Sequence, residues 1–302
     1  MTLSHLTPAE IMPWPKRHPF EVKPALERTC QSGQMKDSHF AVDERLPAYQ
    51  AMKQSRLSQT DERTGQAGEP DQEVLEAIAN EYERQTGLKV NANAAMSSKT
   101  LSQTLAEDFV ILHDEPGRGF VVRYLSVCFA SNWRPAQKLN LGFTQIHAPI
   151  PHNDRLLAAR SGIEKIAFRQ SPMVRYVWLL SPTTDLWQNP DDRGLNWAQV
   201  LERAQENSKD DDPKGDGSIG LLSSVCLRVE RQTTMPLPAI GRAVFFIRVL
   251  VCPLLDVLQI DETRAKVLSD ALATMSPEFA KYRGMEAVRW PIVAALRGLY
   301  KF

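Results

Sequence analysis

No Cys-x-x-Cys pair occurs in the 302 residues of this chain. The four cysteines, Cys30, Cys128, Cys226 and Cys252, lie far apart, which excludes a zinc ribbon or a ferredoxin-type cluster. Their apolar neighbours predict reduced, buried thiols and a cytoplasmic setting. Charge of either sign is not in excess: 36 Lys+Arg balance 36 Asp+Glu, which argues against nucleic acid or an anionic membrane as the main partner. Long hydrophobic runs are missing too, because the best candidate, Ala243 to Leu255, is broken by Arg248 and Pro253. Met1 to Pro15 lacks the basic start and apolar block of a secretory signal. The common catalytic signatures are absent as well: there is no GxSxG, HExxH, P-loop or GxGxxG after a strand, and Gly117-Arg-Gly119 reads as a turn. Any chemistry must therefore use a less familiar constellation or a bound cofactor.

What is present describes one globular domain over residues 1–302, 43% hydrophobic and long enough to bury a substantial core. Residues 1–65 are rich in proline and charge and read as an extended arm, with a short helix from Leu46 to Leu57 that Pro47 suits in its first turn. Leu57 to Pro70 reads as a loop. Asp71 to Gly87 predicts a helix: Asp71 stands at the cap, Val74, Ile78 and Tyr82 share a face, and Gly87 ends it. A further helical piece covers Lys99 to Ala106. The texture then turns to strands: Asp108 to His113 and Gly119 to Ala130 around an Asp-Glu-Pro-Gly-Arg hairpin signal, Val174 to Leu180, and Ser223 to Thr234 joined to Ala243 to Val251. Helices return at Thr263 to Met275, Pro277 to Arg283 and Glu286 to Tyr300. Residues 189–220 read as a polar insertion loop; its Asp cluster lacks the closing Glu of an EF-hand and reads as solvated. Strands close in sequence with helices at the flanks predict an α+β fold around an antiparallel sheet.

Two places stand out chemically. His147 lies in Leu141-Gly-Phe-Thr-Gln-Ile-His-Ala-Pro-Ile-Pro151, an apolar approach followed by two prolines that stiffen the backbone. A neutral imidazole on a rigid apolar segment suits a haem iron, and equally a histidine hydrogen-bonded within a core. His152, just beyond Pro151, is expected to face solvent. The second place is Leu227-Arg-Val-Glu-Arg-Gln-Thr-Thr234, where Arg228 and Glu230 share one strand face and Arg231 takes the other. Alternating charge within an apolar strand is costly unless it is paired internally or meets a bound anion.

Five motifs in order carry a resemblance covering about Phe40 to Gly284: Leu105-Ala-Glu-Asp-Phe-Val-Ile-Leu112, Ser126-Val-Cys-Phe-Ala-Ser-Asn-Trp133, Lys138 to Pro151, Arg228-Val-Glu-Arg-Gln-Thr233 with Gly241 to Arg248, and Pro277-Glu-Phe-Ala-Lys-Tyr-Arg-Gly284. The pattern resembles the haem-containing alpha subunit of the haem-dependent oxidative N-demethylases, also described as dimethylamine monooxygenases. The resemblance implies a PAS-like haem-binding core, haem b held by His147, and oxidative removal of a methyl group from a secondary amine as formaldehyde. It places the family's Arg-x-Glu-Arg-Gln-Thr motif on Arg228, Glu230, Arg231, Gln232 and Thr233. One departure stands out: Val177-Trp-Leu-Leu-Ser-Pro182 replaces the family's common Val-Trp-Arg-x-Asn-Trp.

On this reading His147 ligates the iron, Glu230 holds a cationic small amine, and Arg228, Arg231 and Lys138 face the haem propionates. The co-substrate is O2, and electrons come from a separate flavin/ferredoxin-type reductase. Two alternatives stay open: a haem-dependent tailoring oxidation of another amine or amino-acid-derived metabolite, and a non-catalytic haem or gas sensor.

Overall fold

The computed structural model describes residues 20–23, 27–28, 38–59, 65–90, 96–169, 172–188, 190, 197–207, 218–261 and 263–302. Most of the expected N-terminal arm and the Asp cluster at 208–217 lie outside the described residues.

Seven strands form one antiparallel sheet: β1 (Glu27–Arg28), β2 (Gln66–Gly68), β3 (Asp108–Glu115), β4 (Gly119–Ser126), β5 (Met173–Ser181), β6 (Cys226–Leu237) and β7 (Arg242–Pro253), in the order β1-β5-β6-β7-β3-β4-β2. The centre is the long β6–β7 hairpin. Compared with the predicted Ser223 to Thr234 and Ala243 to Val251, β6 starts and ends three residues later and β7 extends at both ends, leaving Pro238–Ile240 as a single 3-10 turn closed by Gly241 at φ 62°. Proline is tolerated at Pro236 and Pro253 because each sits towards the hairpin's ends.

The register decides what each face carries. Leu227 lies opposite Cys252, Val229 opposite Leu250, Arg231 opposite Arg248, Thr233 opposite Phe246 and Met235 opposite Val244, so these side chains share the first face. Helices cover it from both ends of the chain. At one end α2 (Gln72–Thr86) buries Val74, Leu75, Ile78 and Tyr82 with Phe109, Ile111, Val244 and Phe246. At the other, α7 (Trp197–Asn207), α8 (Ser218–Ser223), α9 (Leu254–Leu258), α10 (Thr263–Thr274), α11 (Pro277–Tyr282) and α12 (Arg289–Tyr300) close over Leu227, Val229, Leu250 and Cys252. The second face carries Val110, Leu112, Val122 and Ala243, covered by α4 (Phe143–His147), α5 (Asp154–Ala158) and α6 (Arg160–Arg169) through Phe143, Leu156, Ala167 and Phe168.

Helix α1 (Leu46–Leu57) lies along β7 where β3 no longer pairs with it. Tyr49 Oη donates to the Val249 carbonyl at 2.5 Å, and the buried Lys53 ammonium donates to the Glu107 carbonyl at 2.5 Å and pairs with Asp108 at 3.0 Å. A strand edge with unpaired carbonyls is thus satisfied by side chains instead of by another strand. α3 (Ser98–Thr104) is capped by Ser97 Oγ accepting from the Thr100 N–H.

Several expectations change. The predicted loop from Leu57 to Pro70 contains β2, which adds to the β4 edge. The predicted polar insertion contains α7 and α8: Trp197, Val200 and Ala204 recur at helical spacing and are buried, a pattern that the surrounding charge obscures. Asp71 precedes α2 without capping it, because its carboxylate is taken by His113 Nε2 at 2.8 Å and Arg242 Nε at 2.7 Å. Gly87 ends the helix at φ 72°, as expected. Cys128, Cys226 and Cys252 are buried thiols outside any disulfide, and Cys30 lies outside the described residues. Among the described residues no helix is long and apolar enough to cross a membrane.

Candidate functional site

His147 closes the five-residue helix α4 on the second sheet face. The helix starts where the Gly142 N–H donates to Gln145 Oε1 at 3.0 Å, and it is seated by Phe143, buried against Phe120 with ring centroids 5.4 Å apart. The Phe143 ring also lies 4.2 Å from the imidazole. Beyond α4 the two prolines lie in a turn, in which the Ile150 N–H and Asn153 Nδ2 both donate to the His147 carbonyl, at 3.1 and 2.8 Å. The side chain is held independently: its Nδ1 lies 2.7 Å from the Phe143 carbonyl oxygen. A carbonyl can only accept, so Nδ1 carries the proton and Nε2 carries the lone pair. No described residue hydrogen-bonds to Nε2. Burial pushes the ring down to about 4, helped by the Arg175 and Lys138 charges and opposed by the Phe143 carbonyl. At neutral pH the group is a neutral, oriented imidazole.

The strands beside it present a polar row on the same face. Arg228 lies opposite Leu179, Glu230 opposite Val177 and Gln232 opposite Arg175. The Glu230 carboxylate accepts from Ser131 Oγ through Oε1 and from Gln232 Nε2 at 2.8 Å through Oε2. Ser131 Oγ in turn accepts from Arg228 Nε at 2.9 Å. Arg228 also donates to the Phe129 carbonyl at 2.8 Å and the Asp185 carbonyl at 3.3 Å. Burial pushes its guanidinium down to about 10, against the pull of Glu230, which leaves it charged at neutral pH. The expectation that Arg228 reaches propionates meets a side chain that is fully buried and bound to protein acceptors; what it does is hold Ser131, and through it Glu230.

Arg231 is on the first face, away from His147. Its Nη1 donates to the His39 carbonyl at 3.1 Å and its Nη2 to the Ser38 carbonyl. A propionate role beside His147 is therefore corrected for Arg231: strand alternation puts it across the sheet. Lys138 ends the 3-10 turn Pro135–Lys138, half-buried, with its ammonium pushed down by burial. Its charge is felt at His147. His152 is exposed and pairs with Glu278 at 3.3 Å, as expected for a solvent-facing ring.

Arg175 is the residue that sequence reasoning missed. A lone arginine in Met173–Ser181 reads as an outward position of a strand, yet its Nε is buried and has no hydrogen-bond partner. Burial pushes its guanidinium down; Glu230 opposes this and Arg283 reinforces it. The only legible signal was its place between Val174 and Val177, on the face shared with Glu230.

The site thus offers one free nitrogen donor, one positioned carboxylate and buried positive charge. No group of three metal-type side chains occurs among the described residues. A lone imidazole suits a metal that arrives with its own ring of nitrogens, as in haem, and an anionic cofactor suits the surplus cations. A separate cleft of about 340 Å³, lined by residues including His113, Arg123 and Asn140, does not include His147. There Arg123 is already spent on Glu115 and Asn140, and His113 on Asp71.

No curated protein matches the chain in sequence. The family described as haem-dependent oxidative N-demethylase, alpha subunit-like, matches residues 70–293, which span the whole sheet from β3 onward and every residue of the site. The chain belongs to the haem-dependent oxidative N-demethylase, alpha subunit-like family.

Proposed function

We propose that the protein is a haem-dependent oxidoreductase that takes a small amine, using O2 and electrons from a separate flavin/ferredoxin-type reductase. The observation that carries the reading is the Phe143 carbonyl locking His147 Nδ1, which leaves a neutral Nε2 as iron ligand. The sheet with helices on both faces is the PAS-like frame of the cofactor site. Bound there, haem b supplies the oxidation of the carbon next to the amine nitrogen. The chain's own residues do the rest. His147 ligates, Lys138 faces a propionate, and Glu230 holds the substrate ammonium. Ser131 and Gln232 keep the Glu230 carboxylate in one orientation, and the apolar side chains of α4 and α6 keep water out.

A second reading concerns the substrate. Leu179 is buried directly opposite Arg228 on the site's face, so the departure from the family's pattern falls within reach of the polar row. This favours an amine other than dimethylamine, such as an amino-acid-derived metabolite.

Hemin titrated into the full chain should give a Soret band that His147→Gly loses and added imidazole restores. A band unchanged in the variant would move the iron ligand elsewhere. With reductase and NADPH present, formaldehyde release across a panel of methylated amines separates N-demethylation from the second reading.

A further inference from the structure

Positive charge in the site exceeds the carboxylates available to meet it. Arg175 and Arg283 each have a buried Nε with no hydrogen-bond partner, and the Arg283 charge is felt at Arg175. The remaining Arg283 contacts are aromatic: its guanidinium lies 5.3 Å from the Phe279 ring centre and 5.4 Å from that of Tyr282. The carboxylate in this polar row, Glu230, already accepts from Ser131 and Gln232. Lys138 adds a third cation, half-buried near His147. Buried cations that repel one another and share a single carboxylate as counter-charge are unfavourable unless a bound anion completes them. A guanidinium binds a carboxylate best of all such groups, through paired hydrogen bonds.

We propose that Arg175, seconded by Arg283, is the carboxylate anchor of the cofactor site beside His147, and that a haem propionate is what it receives. The proposal rests on the haem reading above. It takes over the role that Arg228 and Arg231 cannot fill, since Arg228 is bound to Ser131, Phe129 and Asp185 and Arg231 lies across the sheet.

The test compares two porphyrins on the full chain: hemin, with both propionates free, and its dimethyl ester, in which they are masked. Affinity is read from the Soret band for wild type, Arg175→Met and Arg175→Lys. Arg175→Met should weaken hemin binding roughly 10- to 100-fold, the usual yield of a charge-assisted hydrogen bond, and leave the ester's affinity unchanged. Arg175→Lys should recover part of the loss. Removal of a buried guanidinium whose Nε has no hydrogen-bond partner should leave the apoprotein's melting temperature unchanged or raised, which separates the effect from misfolding. Equal losses for hemin and ester, or no loss for either, would overturn the anchor while leaving the haem reading intact. Failure of wild type to bind either porphyrin would overturn both.

Discussion

Replacing His147 by phenylalanine keeps an aromatic ring beside Phe143 and removes a group whose proton affinity burial has lowered. In the folded chain burial holds this imidazole at about 4, against an ordinary value of 6.5. Between those values the unfolded chain binds a proton that the folded chain refuses, so falling pH favours unfolding. The contribution of the neutral ring is fully present above pH 6.5, shrinks as pH falls through the window, and is gone below about 4. At about 1.4 kcal/mol for each tenfold change in proton affinity, the displacement corresponds to about 3 kcal/mol. Urea unfolding of the apoprotein at a series of pH values from about 7.5 to 4 measures it, reading wild type minus His147→Phe. That difference should move by about 3 kcal/mol in the variant's favour across the window. His39, also buried and pushed down to about 4, titrates in both proteins and cancels. A difference that stays flat with pH would mean the ring is solvated in the folded chain, and the oriented neutral donor would go with it.

Other outcomes follow from single contacts. Glu230→Gln should raise KM for cationic amines at least about tenfold, the scale of one lost charged hydrogen bond, while hemin affinity holds; formaldehyde release and the Soret titration read the two separately. Lys53→Met should destabilise the fold by about 3–5 kcal/mol, because Asp108 is left buried without its partner, and adding Asp108→Asn should recover part of this in urea melts. Gly119→Ala should destabilise more than Gly87→Ala. Both residues have positive φ, 71° and 72°, which costs about 1–2 kcal/mol for a side chain, but only at Gly119 would a Cβ also meet the Glu164 carboxylate. Equal melting temperatures for the two variants would refute that ranking.

Much of this architecture was legible before any coordinates. Helix α1 runs from Leu46 to Leu57 as read, α2 is bounded by Asp71 and Gly87, and the β3–β4 hairpin turns at the Asp-Glu-Pro-Gly-Arg signal. Each rests on short-range causes: a proline in a first turn, a positive-φ glycine, an apolar period of 3.6 or 2. What escaped has long-range causes. β2 is three residues long and exists because the β4 edge accepts it. α7 is helical because Trp197 and Val200 have a core to enter, formed by residues up to Leu296. Asp71 fails as a cap because β3 and β7 bring His113 and Arg242 to its carboxylate.

The site divides along the same line. The residues themselves were enough to single out His147 by its apolar, proline-followed setting, and to put Arg228 and Glu230 on one strand face with Arg231 on the other, since alternation is a local property of extended backbone. Only the folded chain could decide which charges are spent and which are free. Ser131, Phe129 and Asp185 reach Arg228 from segments 43 to 99 residues away, while Arg175, unremarkable in sequence, is left with a buried unpartnered nitrogen. Hydrogen-bond satisfaction is a property of the whole packed neighbourhood, so no local pattern of residues contains it.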